Sequence, residues 1–439
     1  MPRRSVIAGC AACRGMPIAI AGFALVLILM ACHIYWYAAG GGLGEVQTYY
    51  LPYGDAILRG IAPYTPFGDL RWEYPPLGLA LMALPALAST DPGAYQVAYS
   101  SMAGAAALAG LAIVRMAARR LGGDADLATG VYALGLASVW SFVFERYDIF
   151  PAVLTAGALL LYLKGRTDWA MALLAVGTLL KLYPALLAVA LLIPLLAGRE
   201  YRRLFRSAAV FAASCAAIAA PFFLAQPEHF TTFISYHSDR GLQLESLAAS
   251  ALLMAEMAGL ASTQTGMSYG SFNLEGAAPD MIASLLMPAT AIAISACCLM
   301  FFLMAREEGC SAEFLKRAVP AAAFLLVLAF IVFNKVFSAQ YMVWLVPLAA
   351  VFAVSQEKIP ARALICFGCA CLMTLPFSTI YDGFCAHDPA AVAYLFLRNA
   401  FVALTMVETA RCMMRGSSLR RLLREASGLL HRSRAAEPR

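Results

Sequence analysis

The chain has 439 residues, 62% of them hydrophobic and only 13% charged, with a formal net charge of +6 and a mean hydropathy of +0.74. Soluble chains carry about 25% charged residues, so there is too little charge here to coat several water-exposed domains, and no linker separates any. The Lys and Arg gather in short loops between apolar runs and near the C-terminus, which argues for a membrane protein and against nucleic acid as the partner.

In chain order, Arg3, Arg4 and Arg14 precede an apolar run that gives a first span over 17–38. The run outlasts a signal-peptide core. Leu29-Met30-Ala31-Cys32 resembles a lipoprotein cleavage box, but apolar sequence continues through Ile34, Tyr35 and Trp36, so the span is read as uncleaved. A polar, aromatic outer loop follows over 39–95, in which the apolar stretch from Pro75 to Ser89 is too short to cross and reads as an interfacial helix. Further spans are expected over 96–117, 128–144, 149–163, 167–180, 183–197 and 207–225. A second outer segment covers 226–279, and the last spans are 280–304, 318–333, 341–355, 363–379 and 393–410. The expected fold is therefore an all-α polytopic bundle of about 12 spans, within a range of 10 to 13. Its organisation is a cytoplasmic 1–16, one transmembrane domain over 17–410 and a basic cytoplasmic tail over 411–439. This parity leaves only Arg59, Arg71, Arg146, Lys181, Arg240, Lys335 and Arg398 outside, out of 32 Lys and Arg, as the positive-inside rule requires.

Twelve cysteines raise the question of disulfides or metal. Most lie in apolar runs, only Cys385 falls in an outer loop, and Cys10 and Cys13 form a lone C-x-x-C. Zinc needs about four ligands, so no metal site and no other cofactor are expected.

The charged motifs collect on the outer side. Glu45 and Asp55 follow the first span, among Tyr49, Tyr64, Glu73 and Tyr74; either carboxylate could take a proton from an attacking hydroxyl, and the aromatic rings suit an interfacial belt or a sugar face. Glu145-Arg146-Tyr147-Asp148 sits at the outer ends of two spans, where charges are costly; an internal Arg146–Asp148 pair is the bland alternative. Lys181, followed by Tyr183, and Lys335, followed by Gln340, are lone cations between apolar runs, suited to snorkelling or to phosphate. The run His237 to Ser246 holds Arg240, Gln243 and Glu245, with Arg240 free to grip a phosphate or to pair with Asp239 or Glu245. Arg398 falls in an apolar span and is expected to face the protein interior. Four cations from separate loops opposite a carboxylate are what a phosphate leaving group and a general base need.

These stretches resemble glycosyltransferase family 87, the polytopic mannosyltransferase-like proteins of the C superfamily of membrane glycosyltransferases. The match rests on Tyr49 to Pro76, with Gly60, Pro63-Tyr64, Phe67 and Glu73-Tyr74-Pro75-Pro76, then Arg146-Tyr147-Asp148, Lys181-Leu182-Tyr183-Pro184, His237 to Ser246 and Lys335 to Tyr341. The resemblance implies a polyprenyl-phosphate sugar donor, commonly mannose, used at the outer face of the plasma membrane, and a lipid or glycan acceptor. It also implies an Asp base soon after the first span. Counting from Tyr49 that position is Glu45, and counting from Gly60 it is Val46, so Asp55 stays open as the base. Arg146, Lys181, Arg240 and Lys335 would hold the donor phosphate. A lipid-linked-sugar transporter would instead carry polar residues at mid-membrane in inverted repeats, which the sequence does not show, and a non-catalytic envelope scaffold would have no need of acids facing lone cations.

Overall fold

The computed structural model describes residues 16–39 and 44–415. The lone C-x-x-C, the N-terminal arginines and most of the basic tail lie outside them.

The fold is helical and built around an apolar centre. The first long helix, α1 (Met16–Ala38), is followed by a π-turn over Val46–Tyr50 and the short α2 (Leu51–Leu58) and α3 (Pro76–Ala86). Next come α4 (Pro92–Leu121), α5 (Ala125–Ser138), α6 (Trp140–Glu145), α7 (Ile149–Leu163), α8 (Thr167–Leu180), α9 (Pro184–Ala197) and α10 (Tyr201–Ala225). The segment 226–279 holds α11 (Thr232–Ser238), β1 (Leu242–Gln243), α12 (Leu247–Met257), β2 (Gln264–Ser268) and β3 (Ser271–Glu275). The chain ends with α13 (Ala277–Glu307), α14 (Ala312–Phe333), α15 (Met342–Ser355), α16 (Ala361–Thr374), α17 (Phe377–Cys385) and α18 (Pro389–Met413).

Position in the bundle follows from side-chain polarity. Every residue of α15 from Met342 to Val354 is buried, and α14 is buried from Ala318 to Ala329; both helices are apolar all round, as a central helix must be. By contrast α10 and α13 present Phe205, Leu224, Met281, Leu285, Ile292 and Leu299 outward. Such a surface would be a liability in water and suits lipid. Close packing depends locally on glycine: a Cβ at Gly110 of α4 would overlap the hydroxyl of Tyr132 on α5, which donates to the Ala107 carbonyl at 2.9 Å.

The fold is mostly helical, as expected, with one departure from all-α: the segment 226–279 forms a three-stranded antiparallel sheet in the order β1-β3-β2, with Gln243 opposite Asn273 and Gly266 opposite Asn273. Among the described residues, six helices (α1, α4, α10, α13, α14 and α18) are long and apolar enough to cross a membrane, or seven if α16 and α17, bent by 77°, count as one span. Six further apolar helices are shorter, because motif residues interrupt them. The run expected over 128–144 is broken at Val139 into α5 and α6. The stretch expected at the interface forms α3, which buries Leu79 and Met82 completely; Gly54 of α2 packs against the Met82 carbonyl. Arg398 is fully buried, as expected. Cys310 and Cys385 are free thiols.

Candidate active site

Three helix interruptions build the floor of one cavity. Arg146 leaves α6 in an extended conformation (φ −128°, ψ 147°) before α7 begins after Asp148. Lys181 is extended likewise (φ −157°, ψ 135°), because Pro184 starts the next helix and leaves no room to continue α8. Asn334 ends α14, and the following turn is held by Val336 N–H donating to Asn334 Oδ1 at 2.9 Å. Two long loops, 39–95 and 226–279, close over these breaks. Glu45, Tyr49, Glu73 and Tyr74 come from the first, and Tyr236, His237, Arg240, Gln243, Glu245 and Tyr269 from the second. The enclosed volume is about 560 Å³, enough for a sugar and a phosphate.

The charges are not paired as sequence neighbours. Arg146 forms an ion pair with Glu45 across the cavity mouth, and Lys181 Nζ lies 2.7 Å from Asp148 Oδ1. Asp148 is fully buried and also accepts from Trp344 Nε1 at 2.5 Å. The rings of Tyr183, Trp344 and Tyr341 form a stack, with centroid spacings of 4.2 and 3.9 Å. The Lys181 ammonium lies 5.2 Å from the Trp344 ring and 4.6 Å from Tyr147, contacts that help a buried cation. Arg240 is different. It lines the cavity and is only 9% exposed, yet no carboxylate among the described residues stands within ion-pair distance, and its Nε has no hydrogen-bond partner. A buried guanidinium without a counter-ion is costly, and its fork suits a phosphate.

Two acids of the cavity, Glu73 and Glu245, are held in neutral-favouring surroundings. Burial pushes the Glu73 carboxyl up, against a hydrogen bond from Tyr53. Burial also raises Glu245, whose Oε2 accepts the Ala339 N–H at 2.7 Å and whose Oε1 accepts the Tyr381 hydroxyl at 3.3 Å. His237 is lowered to about 4, first by burial and then by the charges of Arg240 and Lys181. Among the described residues, no three His, Cys, Asp or Glu come close enough together to hold a metal ion.

The profile of glycosyltransferase family 87 matches residues 72–330, more than half of the chain and the stretch that supplies most of the cavity lining. The chain belongs to glycosyltransferase family 87. No curated protein sequence matches it. Among solved structures, the crystal structure of ArnT from Cupriavidus metallidurans in the apo state is similar, with 16% identity and a TM-score of 0.46 over 89% of this chain and 78% of that one.

In this family 87 member, thirteen of the sixteen residues singled out in the sequence line the same cavity: Glu45, Tyr49, Glu73, Tyr74, Arg146, Asp148, Lys181, Tyr183, His237, Arg240, Gln243, Glu245 and Gln340. Three do not. Asp55 pairs with Arg59 one turn along α2, at 2.8 Å. Tyr64 is buried in the aromatic cluster of the first loop and donates to the Tyr74 carbonyl at 2.9 Å. Lys335 donates to the Ser238 carbonyl at 2.7 Å, which ties the second outer segment to the end of α14. The internal Arg146–Asp148 pair is not formed, nor does Arg240 pair with Asp239 or Glu245. The sequence reading overlooked Trp344, Tyr236, Tyr269 and Tyr381, which also line the cavity. Trp344 sits in an uninterrupted apolar run, so no local signal distinguishes it from core.

Proposed function

We propose that this family 87 glycosyltransferase moves a hexose, mannose in the first instance, from a polyprenyl-phosphate donor to a lipid or glycan acceptor of the cell envelope. In this reading the reaction takes place at the extracytoplasmic face of the plasma membrane, in a bundle of about twelve spans with both termini cytoplasmic. The observation that carries it is the pairing of functions in one cavity: a partly exposed carboxylate, Glu45, and a buried guanidinium, Arg240, that lacks a counter-ion. Glu45 takes the proton of the acceptor hydroxyl as that oxygen attacks the anomeric carbon. The bond from that carbon to the donor phosphate breaks, and the lipid phosphate leaves with the electron pair. Arg240 balances its charge, with Arg146 and Lys181 beside it. One displacement inverts the anomeric centre. Asp55, turned to Arg59 and away from the cavity, is the weaker candidate for the base.

The test is transfer from polyprenyl-phosphate mannose by purified protein in proteoliposomes. Glu45→Gln is expected to lower kcat by about 10²–10⁴, the usual worth of a general base, with donor binding retained. Asp55→Asn is expected to stay within about twofold of wild type. Equal activity of Glu45→Gln and the parent would refute the assignment of the base. No transfer by the parent from any polyprenyl-phosphate sugar would remove the donor class.

A further inference from the structure

Glu45 opens a helical stretch that runs through a π-turn into α2, so its N–H, in the first turn, has no partner within the helix and needs one from outside. The segment enters through Gly44 and the π-turn Val46–Tyr50. Its inner side meets Glu145, the last residue of α6, which does not line the cavity. The Glu45 N–H donates to Glu145 Oε2 at 3.1 Å. The other carboxylate oxygen, Oε1, lies 3.0 Å from Nε2 of His33, a buried residue of α1. The His33 ring is itself stacked on Phe144, with centroids 5.2 Å apart, and flanked by the side-chain amide of Gln96 from α4 at 3.3 Å. The Tyr37 hydroxyl of α1 interacts with the same carboxylate. The fit at Gly44 is closed: a Cβ there would lie 2.6 Å from the Tyr37 oxygen and 2.8 Å from Glu145 Oε2. On the far side, the Gly44 N–H donates to Gln47 Oε1 at 2.7 Å, and Gln47 Nε2 donates to the Pro92 carbonyl at 3.1 Å.

We infer that Glu145, braced by His33 and Tyr37, is a positioning residue: it anchors the main chain of Glu45 and so sets where the base stands in the cavity. The inference rests on the reading of Glu45 as the base and goes beyond it. A carboxylate nearly enclosed between two membrane helices is expensive, and core packing does not require it at this position. It is the acceptor that joins a donor from α1 to the one backbone N–H that precedes the catalytic side chain. Because Arg146 follows Glu145 directly, the same anchor also fixes the spacing of the Glu45–Arg146 pair.

Three variants and one exchange measurement, on detergent-purified full-length protein, test this. Glu145→Ala is expected to lower kcat by about 10- to 100-fold, the scale of an ångström-sized misplacement, while the donor KM changes by less than about threefold. Glu145→Gln keeps an oxygen that can accept the Glu45 N–H, and it is expected to recover at least a third of the lost logarithm of the rate. Gly44→Ala alters no polar group but pushes the turn off the anchor, and it should reproduce the low-kcat, unchanged-KM pattern; it also serves if Glu145→Ala does not fold. Hydrogen exchange supplies a readout independent of activity, with amides of residues 45–50 exchanging at least tenfold faster in Glu145→Ala. Unchanged exchange, or a loss that appears in KM alone, overturns the inference. If Glu45→Gln turns out fully active, the base reading fails by itself, and the exchange measurement still decides whether Glu145 is the anchor.

Discussion

His237 is the residue whose charge state the surroundings decide most plainly. Burial is the main cause, and the facing cations Arg240 and Lys181 add to it, so the folded protein holds the imidazole at about 4, below its ordinary 6.5. The unfolded chain therefore binds more protons than the folded one between pH 6.5 and 4, and stability from this group falls as pH falls through that window. Thermal unfolding of the purified protein is expected to move to lower temperature from pH 7 to pH 5, and His237→Asn should remove part of that dependence. A wild-type slope retained in His237→Asn would mean that other groups carry it. At working pH the neutral ring also leaves Arg240 as the cation that a phosphate meets on this wall of the cavity.

At the scale of elements, the site exists because helices stop early. The breaks after Glu145, Leu180 and Phe333 each leave backbone groups without helix partners, and the first two put the long side chains of Arg146 and Lys181 into the gap. The break before α9 was readable, since Lys-Leu-Tyr-Pro couples a cation to a helix-starting proline. So was the gathering of Arg146, Lys181 and Arg240 on one side, from loop charge alone. The pairing was not. Arg146 lies two residues from Asp148 yet bonds to Glu45 from the first long loop, while Lys181 takes Asp148; chain proximity says nothing about which loop folds over which. The sheet was hidden for a similar reason. Its strands are 2 and 5 residues long, and their side chains vary in burial without clean alternation, so period-two patterning was absent. The Lys181–Asp148 pair is what ties α8 to the start of α7, and removing one partner leaves the other charge buried alone. Asp148→Asn is expected to destabilise the protein by about 3–5 kcal/mol, seen as a lower midpoint in thermal unfolding. The double change with Lys181→Met is expected to recover most of that loss. Additive losses in the double variant would show that the two residues act separately.

For the molecule as a whole, the decisive arrangement is that cavity and basic turns lie at opposite ends of the bundle. The loops that line the cavity join the ends of α6, α8 and α14, whereas Arg119, Arg120, Lys164, Arg166, Arg202 and Arg203 stand at or near the other ends of the helices. Lys and Arg next to span ends favour the cytoplasmic side, which supports the proposal that the cavity faces outward, with the exposed apolar faces of α10 and α13 against lipid. Native cysteines mark the two ends. Cys385 closes α17, whose other residues Phe377 and Tyr381 line the cavity, and Cys310 lies in the turn between α13 and α14 beside the Pro194 carbonyl. Both are free and partly exposed. In intact cells or right-side-out vesicles, with the other cysteines replaced, a membrane-impermeant maleimide is expected to modify Cys385 and to reach Cys310 only after permeabilisation. The reverse pattern would turn the cavity to the cytoplasm. A donor with its phosphate at the outer leaflet could then not reach Arg240, and the chemistry would have to draw on a cytoplasmic sugar donor instead.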